Sequence, residues 1–85
     1  MSLKLNKRAQ KGYQKLNPTI KNKANKKFLL LDIDIHHQQL NSKKMKATNR
    51  WEARIDYQYR FTFIIEGQTI LILSVGPHDE GLGKK

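Results

Sequence analysis

Residues 51–63 read WEARIDYQYRFTF, and their parity decides the fold. Successive side chains of a strand point to opposite faces, so Trp51, Ala53 and Ile55 fall on one side and Glu52, Arg54 and Asp56 on the other. Tyr59, Phe61 and Phe63 alternate in the same way with Arg60 and Thr62. With a three-residue loop at Asp56, Tyr57 and Gln58, Ile55 lies opposite Tyr59, Ala53 opposite Phe61 and Trp51 opposite Phe63. Every apolar side chain then gathers on one face. A two-residue loop at Tyr57-Gln58 would put Arg54 on the face of Phe61 and bury its charge, so the first register is expected. It also sets Arg54 directly opposite Arg60, and like charges so placed cost roughly a few tenths of a kcal/mol or more. A purely structural sheet has little reason to hold such a pair; a site for phosphate has one.

Downstream, residues 59–66 are β-branched and aromatic, and Gly67-Gln68 suits a two-residue hairpin turn with glycine first. Residues 69–75 (TILILSV) are apolar on both parities, as an interior strand should be, and Gly76-Pro77 ends the run. Continued past Val75, the chain brings His78 to the same end of the sheet as Arg60. The strand before the three-residue loop is read over 50–56. Upstream of it, residues 40–47 alternate weakly and carry Lys43, Lys44 and Lys46, the make-up of an edge strand where lysine discourages further pairing.

Before residue 36 the apolar period lengthens to that of a helix. Ile20, Ala24, Phe28, Leu31 and Ile35 share one face, while lysines 21, 23, 26 and 27 fill the other. Asn17-Pro18 is a start signal, a cap followed by proline at the first helical position. Ala9, Gly12, Tyr13 and Leu16 form an earlier apolar stripe that Asn6 can cap. We expect helices over 6–16 and 18–34 joined by a tight turn. Leu29-Leu30-Leu31 would also suit a strand, but the helical frame on both sides favours helix. Leu3-Lys4-Leu5 can form a very short first strand. The expected fold is α+β, a two-helix hairpin packed on one face of a small antiparallel sheet, with residues 1–85 as one domain. Trp51, Phe61 and Phe63 should meet Phe28, Leu31 and Ile20 in its core.

A chain of 85 residues has a thin core. With no cysteine it has no disulfide, zinc-thiolate site or thiol chemistry. Charge is placed unevenly. Residues 1–27 carry nine Lys or Arg and no acid, residues 28–48 three bases and two acids, and residues 49–85 five of each. The formal net charge of +10 therefore lies almost wholly in the first third. Such a patch favours a polyanion, either nucleic acid or an acidic protein, although a solvated Lys-rich helical face has the same composition. No apolar run approaches the roughly 20 residues of a membrane helix, and the N-terminus lacks the apolar stretch of a signal peptide, so a cytoplasmic location is expected. His36 and His37 would point apart on a strand, and no third ligand accompanies them, so no metal site is expected. Asp32 and Asp34 carry no assigned role.

Several of these pieces fall in a fixed order between residues 40 and 80: Leu40 and Lys43-Lys44-Met45-Lys46, then Trp51-Glu52-Ala53-Arg54-Ile55, then Tyr59-Arg60, then Ser74-Val75-Gly76-Pro77-His78-Asp79. In order and spacing they resemble the RelE branch of the RelE/ParE toxin superfamily, with its W-E-x-R strand, Y-R strand and terminal V-G-x-H. Each piece alone is weak; together they are fairly specific. The resemblance implies a ribosome-dependent mRNA endoribonuclease that inhibits translation, needs no metal or other cofactor, and is held inactive by a cognate antitoxin. In that chemistry the RNA's own 2′-hydroxyl attacks the adjacent phosphate, leaving a cyclic phosphate and a free 5′-hydroxyl. Carried over by position, Arg54 contacts phosphate, because a guanidinium is a poor base. Arg60 braces the scissile phosphate. His78 is the general acid, for which an ordinary imidazole suits. Lys43, Lys44, Lys46 and Arg50 are read as contacts to the RNA backbone, with edge protection the alternative for the lysines. The tail, Gly81-Leu82-Gly83-Lys84-Lys85, lacks the tyrosine that many family members carry there. Two other readings stay open: a ParE-like inhibitor of DNA gyrase, and a basic nucleic-acid-binding module without catalysis.

Overall fold

The computed structural model describes residues 2–45 and 49–77. Its elements are β1 (Ser2–Leu5), α1 (Lys7–Gln14), α2 (Pro18–Ile33), a 3-10 turn (Gln38–Leu40), β2 (Lys43–Lys44), β3 (Trp51–Arg54), β4 (Tyr59–Glu66) and β5 (Thr69–Pro77). The register argued from residues 51–63 is the one adopted: Trp51 faces Phe63, Ala53 faces Phe61 and Arg54 faces Arg60. The Ile55 amide extends the ladder to the Tyr59 carbonyl at 2.9 Å. The Asp56 carboxylate closes the three-residue loop by accepting from the amides of Gln58 and Tyr59 at 2.8 and 2.9 Å. Glu66 faces Thr69 across Gly67-Gln68, and Gly67 takes the positive φ of 60° that this turn requires at its first position.

The five strands lie in the order β1-β5-β4-β3-β2. Neighbours from β2 to β5 are antiparallel, as expected, whereas β1 pairs parallel to β5, which makes the sheet mixed. The two are distant in sequence, so no tight turn dictates an antiparallel return, and the parallel register sets Leu3 and Leu5 beside Ile70 and Ile72. The expected edge strand over 40–47 is much shorter. Among the described residues only Lys43 and Lys44 pair, Leu40 ends the 3-10 turn fully buried, and Asn41 turns the chain with a φ of 50°. A core position opened to Leu40 outweighs the strand pattern there; residues 46 and 47 lie outside the described residues.

β5 carries an irregularity that alternation could not reveal. Phe63 faces Ile72 but Thr62 faces Ser74, so Leu73 is an extra residue in the ladder. This bulge reverses the parity of the strand's second half. Ile70, Ile72 and Val75 are consequently all buried, and Ser74 and Gly76 turn to the other face. The strand also continues through Pro77, beyond the expected stop at Val75.

Both helices start where a cap predicts. Asn6 Oδ1 accepts from the Ala9 amide at 2.8 Å, and Asn17 Oδ1 from the Ile20 amide at 2.9 Å, with Pro18 opening α2. Their apolar stripes cover one sheet face. Phe28 meets Phe61 edge-on with ring centroids 5.1 Å apart, and Ile20, Ala24 and Leu31 are buried beside Phe61 and Phe63. Trp51 packs against this core, stacked on Phe63 at 6.1 Å with the edge of His36 at 5.8 Å. His37 Nδ1 accepts from the Gln39 amide, so His36 and His37 each have a structural contact. None of the described helices is long and apolar enough to cross a membrane.

β1 accompanies β5 only as far as Ile72. Beyond that point α1 packs against β5, and Gly12 sits so close that a Cβ there would collide with the Val75 carbonyl oxygen. Alanine normally gains about 0.8–1 kcal/mol over glycine inside a helix. Here Gly12→Ala should instead destabilise by about 1–3 kcal/mol, because backbone must move to admit the methyl group. Gln14→Ala on the exposed side of α1 should be neutral or slightly stabilising. Thermal unfolding of the two variants beside the wild type checks the sign; a Gly12→Ala protein as stable as the wild type would show that the close approach is dispensable.

Candidate nucleic-acid interface

The face turned away from the helices carries polar residues in rows across the strands. One row runs Arg54, Arg60, Gly76, and the next runs Lys43, Glu52, Thr62, Ser74. The second row is tied by a hydrogen bond of 2.6 Å between the Thr62 and Ser74 hydroxyls. A diagonal ion pair of 3.8 Å joins Arg60 Nη1 to Glu52 Oε1, with the two side chains only 20% and 12% exposed. The bulge at Leu73 builds this surface, since without it Ser74 would lie on the core side.

A groove of about 410 Å³ opens along these rows. Ser74, Gly76 and Pro77 of β5 line it together with Thr62. On one side stand Arg60, Glu52 and, ahead of β3, Met45 and Arg50. On the other stand Arg8, Lys11 and Lys15 of α1, carried there by the packing of α1 on the far half of β5. Among the described residues five cations thus line it, with Glu52 as the acid among them. In a concave site bounded by low-dielectric walls such an excess attracts anions more strongly than the same charges on a flat surface.

The arginine pair is incompletely satisfied. The Nε atoms of Arg54 and Arg60 are both buried without a hydrogen-bond partner among the described residues. A buried donor without an acceptor costs roughly 1–3 kcal/mol, more when it carries charge. Glu52 offsets one of the two charges. An anion bound over the pair would offset the charge that Glu52 leaves uncompensated, and a phosphodiester has that form.

The residues singled out from sequence are only partly brought together. Arg54 and Arg60 face each other, Arg50 joins Arg60 in lining the groove, and Lys43 shares their sheet face in the row of Glu52. Lys44 is paired with Trp51 and so points to the helix side, away from them. Lys46 and His78 lie outside the described residues. β5 does carry Gly76 opposite Arg60 and Pro77 opposite Tyr59. Sequence reasoning missed Arg8, Lys11 and Lys15 as groove residues. Their spacing of three and four was a visible signal, but the element they would face was not. Among the described residues no group of three or more His, Asp or Glu side chains converges to hold a metal ion.

Comparison with solved structures rests on this whole arrangement. The chain superimposes on a YoeB/ParE toxin from Agrobacterium tumefaciens with a TM-score of 0.79 at 18% identity, covering 92% of this chain and 99% of that one. It matches the archaeal RelE of a RelE–RelB complex from Pyrococcus horikoshii with a TM-score of 0.78 at 19% identity over 94% and 97% of the two chains. It matches YafQ from Escherichia coli with a TM-score of 0.80 at 10% identity over 96% and 98%. This is the RelE/ParE toxin fold. No protein-family model matches the sequence, and no curated protein matches it either. In this chain the groove lies on the sheet face turned away from the helices, with α1 as its rim.

If the Arg54–Arg60 pair is held for an anion, it should cost stability in the anion's absence. Arg54→Gln should raise stability at low salt by about 0.5 kcal/mol, which for a domain of this size is about 2–4 °C in Tm. Inorganic phosphate should stabilise the wild type more than the variant, at matched ionic strength. An Arg54→Gln protein that melts lower than the wild type, or gains equally from phosphate, would show that the pair is not a strained anion site.

Proposed function

We propose that the chain is the toxin of a type II toxin–antitoxin pair, and that it acts as a metal-independent mRNA endoribonuclease on the translating ribosome. The observation that carries this reading is the Arg54–Arg60 pair beside a groove rich in cations. The motif order and the RelE/ParE fold support it. On this reading the RNA phosphate lies over the two guanidiniums. The 2′-hydroxyl of the preceding ribose gives its proton to solvent water and attacks the phosphorus as the bond to the 5′-oxygen breaks, and Arg60, steadied by Glu52, neutralises the charge that grows on the phosphorane oxygens. His78, following Pro77, protonates the departing 5′-oxygen. Lys43, Lys46 and Arg50 hold the backbone on either side, and Lys44 makes the weakest case because of its side. The partner is a cognate antitoxin with an acidic or amphipathic segment, as RelB accompanies RelE in the Pyrococcus complex. Both proteins would work in the cytoplasm.

Cleavage of messenger RNA on purified ribosomes tests the assignment, with circular dichroism as the folding control. Arg60→Ala should lose on the order of a hundredfold or more in rate. His78→Ala should lose a similar factor, and its defect should shrink on a substrate whose leaving group needs no protonation. Lys4→Ala, at the far end of the sheet, should cleave as the wild type does. Folded Arg60→Ala and His78→Ala proteins within about threefold of the wild type would sink the active-site assignment. A wild type that cuts no transcript but disturbs DNA supercoiling would move the activity to gyrase.

A further inference from the structure

The cations of α1 take no part in the chemistry assigned to Arg54, Arg60 and His78, yet they form a wall of the same groove. Arg8, Lys11 and Lys15 are spaced three and four residues apart, so they make one stripe with about 5–6 Å between successive Cβ atoms. None of the three side chains has an ion-pair partner among the described residues, and residues 1–27 contain no acid to supply one. Their orientation is set rather than averaged. Ala9 is fully buried on the opposite stripe, and Gly12 is seated on the Val75 carbonyl, which leaves α1 one rotational setting. Between this wall and Arg60 lie Ser74 and Gly76, small residues that leave the groove open. Its volume of about 410 Å³ lies toward the low end for small-ligand sites, enough for a nucleotide-sized part of one strand and not for a duplex.

From this geometry we infer that α1 is a second phosphate-binding wall. Arg8, Lys11 and Lys15 hold backbone phosphates of a single RNA strand that flank the phosphate held by Arg60. The inference rests on the RNA-binding part of the reading above but not on cleavage. It divides the labour in the groove: Arg60 acts on the reacting phosphate, whereas the α1 row supplies affinity and direction. Three long side chains on one helix stripe can each reach a different phosphate of an extended strand. They read charge and spacing rather than bases, so the contribution is independent of sequence.

The experiment uses the full chain and a fluorescently labelled, 2′-O-methylated single-stranded RNA that cannot be cut by 2′-hydroxyl attack. Affinity is measured over a range of potassium chloride concentrations. Each phosphate contact to a single strand contributes about 0.7 to the slope of log affinity against log salt. The variant R8Q/K11Q/K15Q should therefore lose about 2 from that slope and bind at least tenfold more weakly at low salt. Lys15→Gln alone should lose about 0.7, which guards against a fold defect in the triple variant. The control K4Q/K23Q/K26Q removes the same charge from positions outside the groove wall and should keep its slope within about 0.5 of the wild type. Equal losses in the two triple variants would overturn the inference, since total charge and not the wall would then govern binding. A wild type that binds no RNA at low salt would overturn it as well. If the wild type cuts transcripts while R8Q/K11Q/K15Q binds RNA normally, the nuclease reading survives and this one falls, leaving the row to an acidic protein partner. If R8Q/K11Q/K15Q loses binding as expected and the wild type cuts nothing, this inference survives and the nuclease reading falls.

Discussion

Between Thr62 and Phe63 the pairing of β4 with β5 slips by one residue, because Leu73 is looped out of the ladder. The groove depends on that slip. Ahead of it, Ile70 and Ile72 face the helices; behind it, Val75 does so, and Ser74 and Gly76 are released to the opposite side. Bulges bend a strand and re-aim its side chains, and here the re-aimed residues are the smallest on the strand. The same half of β5 receives α1, with Gly12 on the Val75 carbonyl. A single extra residue thus sets both the small floor of the groove and the seat of the helix that walls it.

Stability and charge are kept on opposite faces of the sheet. The helix side buries Phe61, Phe63, Leu31, Leu40, Ile70 and Ile72 completely, each contributing about 1.5–3 kcal/mol through lost contact with water. The other side holds a like-charge arginine pair, with two buried Nε atoms unsatisfied among the described residues and a partial counter-charge from Glu52. That side costs free energy, and a domain this small has little to spare. The arrangement persists because the two sets meet only through the backbone of β3 and β4. Phe61 lies between Arg60 and Thr62 in sequence but on the other face, so each set can be filled without disturbing the other.

How much of this could be read from the sequence followed from how sharply each segment constrains its alternatives. In residues 51–63 a slip of one position would bury Arg54, so one register survived and was adopted. The helix starts at Asn6 and Asn17 were legible because a cap is a local event between a side chain and amides three residues on. Residues 69–75 were apolar on both parities, so no alternation could announce a bulge at Leu73. The parallel partner of β1 and the burial of Leu40 were set by distant surfaces rather than local pattern. At the site, the facing of Arg54 and Arg60 was a strand-register fact and therefore visible. The α1 wall was not, because it depends on contact between Gly12 and Val75, which are far apart in the chain.

The same distinction accounts for a fold that matches solved toxins closely at identities of 10–19% while no family model matches the sequence. Cores accept many apolar substitutions when volume and patterning are kept, so the two sheet faces can be rebuilt with little identity. Parity, two caps, a tight turn and a bulge are requirements on position, and several residue types satisfy each. The charge around the groove is looser still. Its cations come from α1, from the approach to β3 and from β4, and a concave potential sums over all of them. A lysine lost from one wall can be offset by an arginine gained on another with little change at the centre. A buried charge is tied more closely to its place, and among the described residues Arg60, backed by Glu52 and opposed by Arg54, is held in that way.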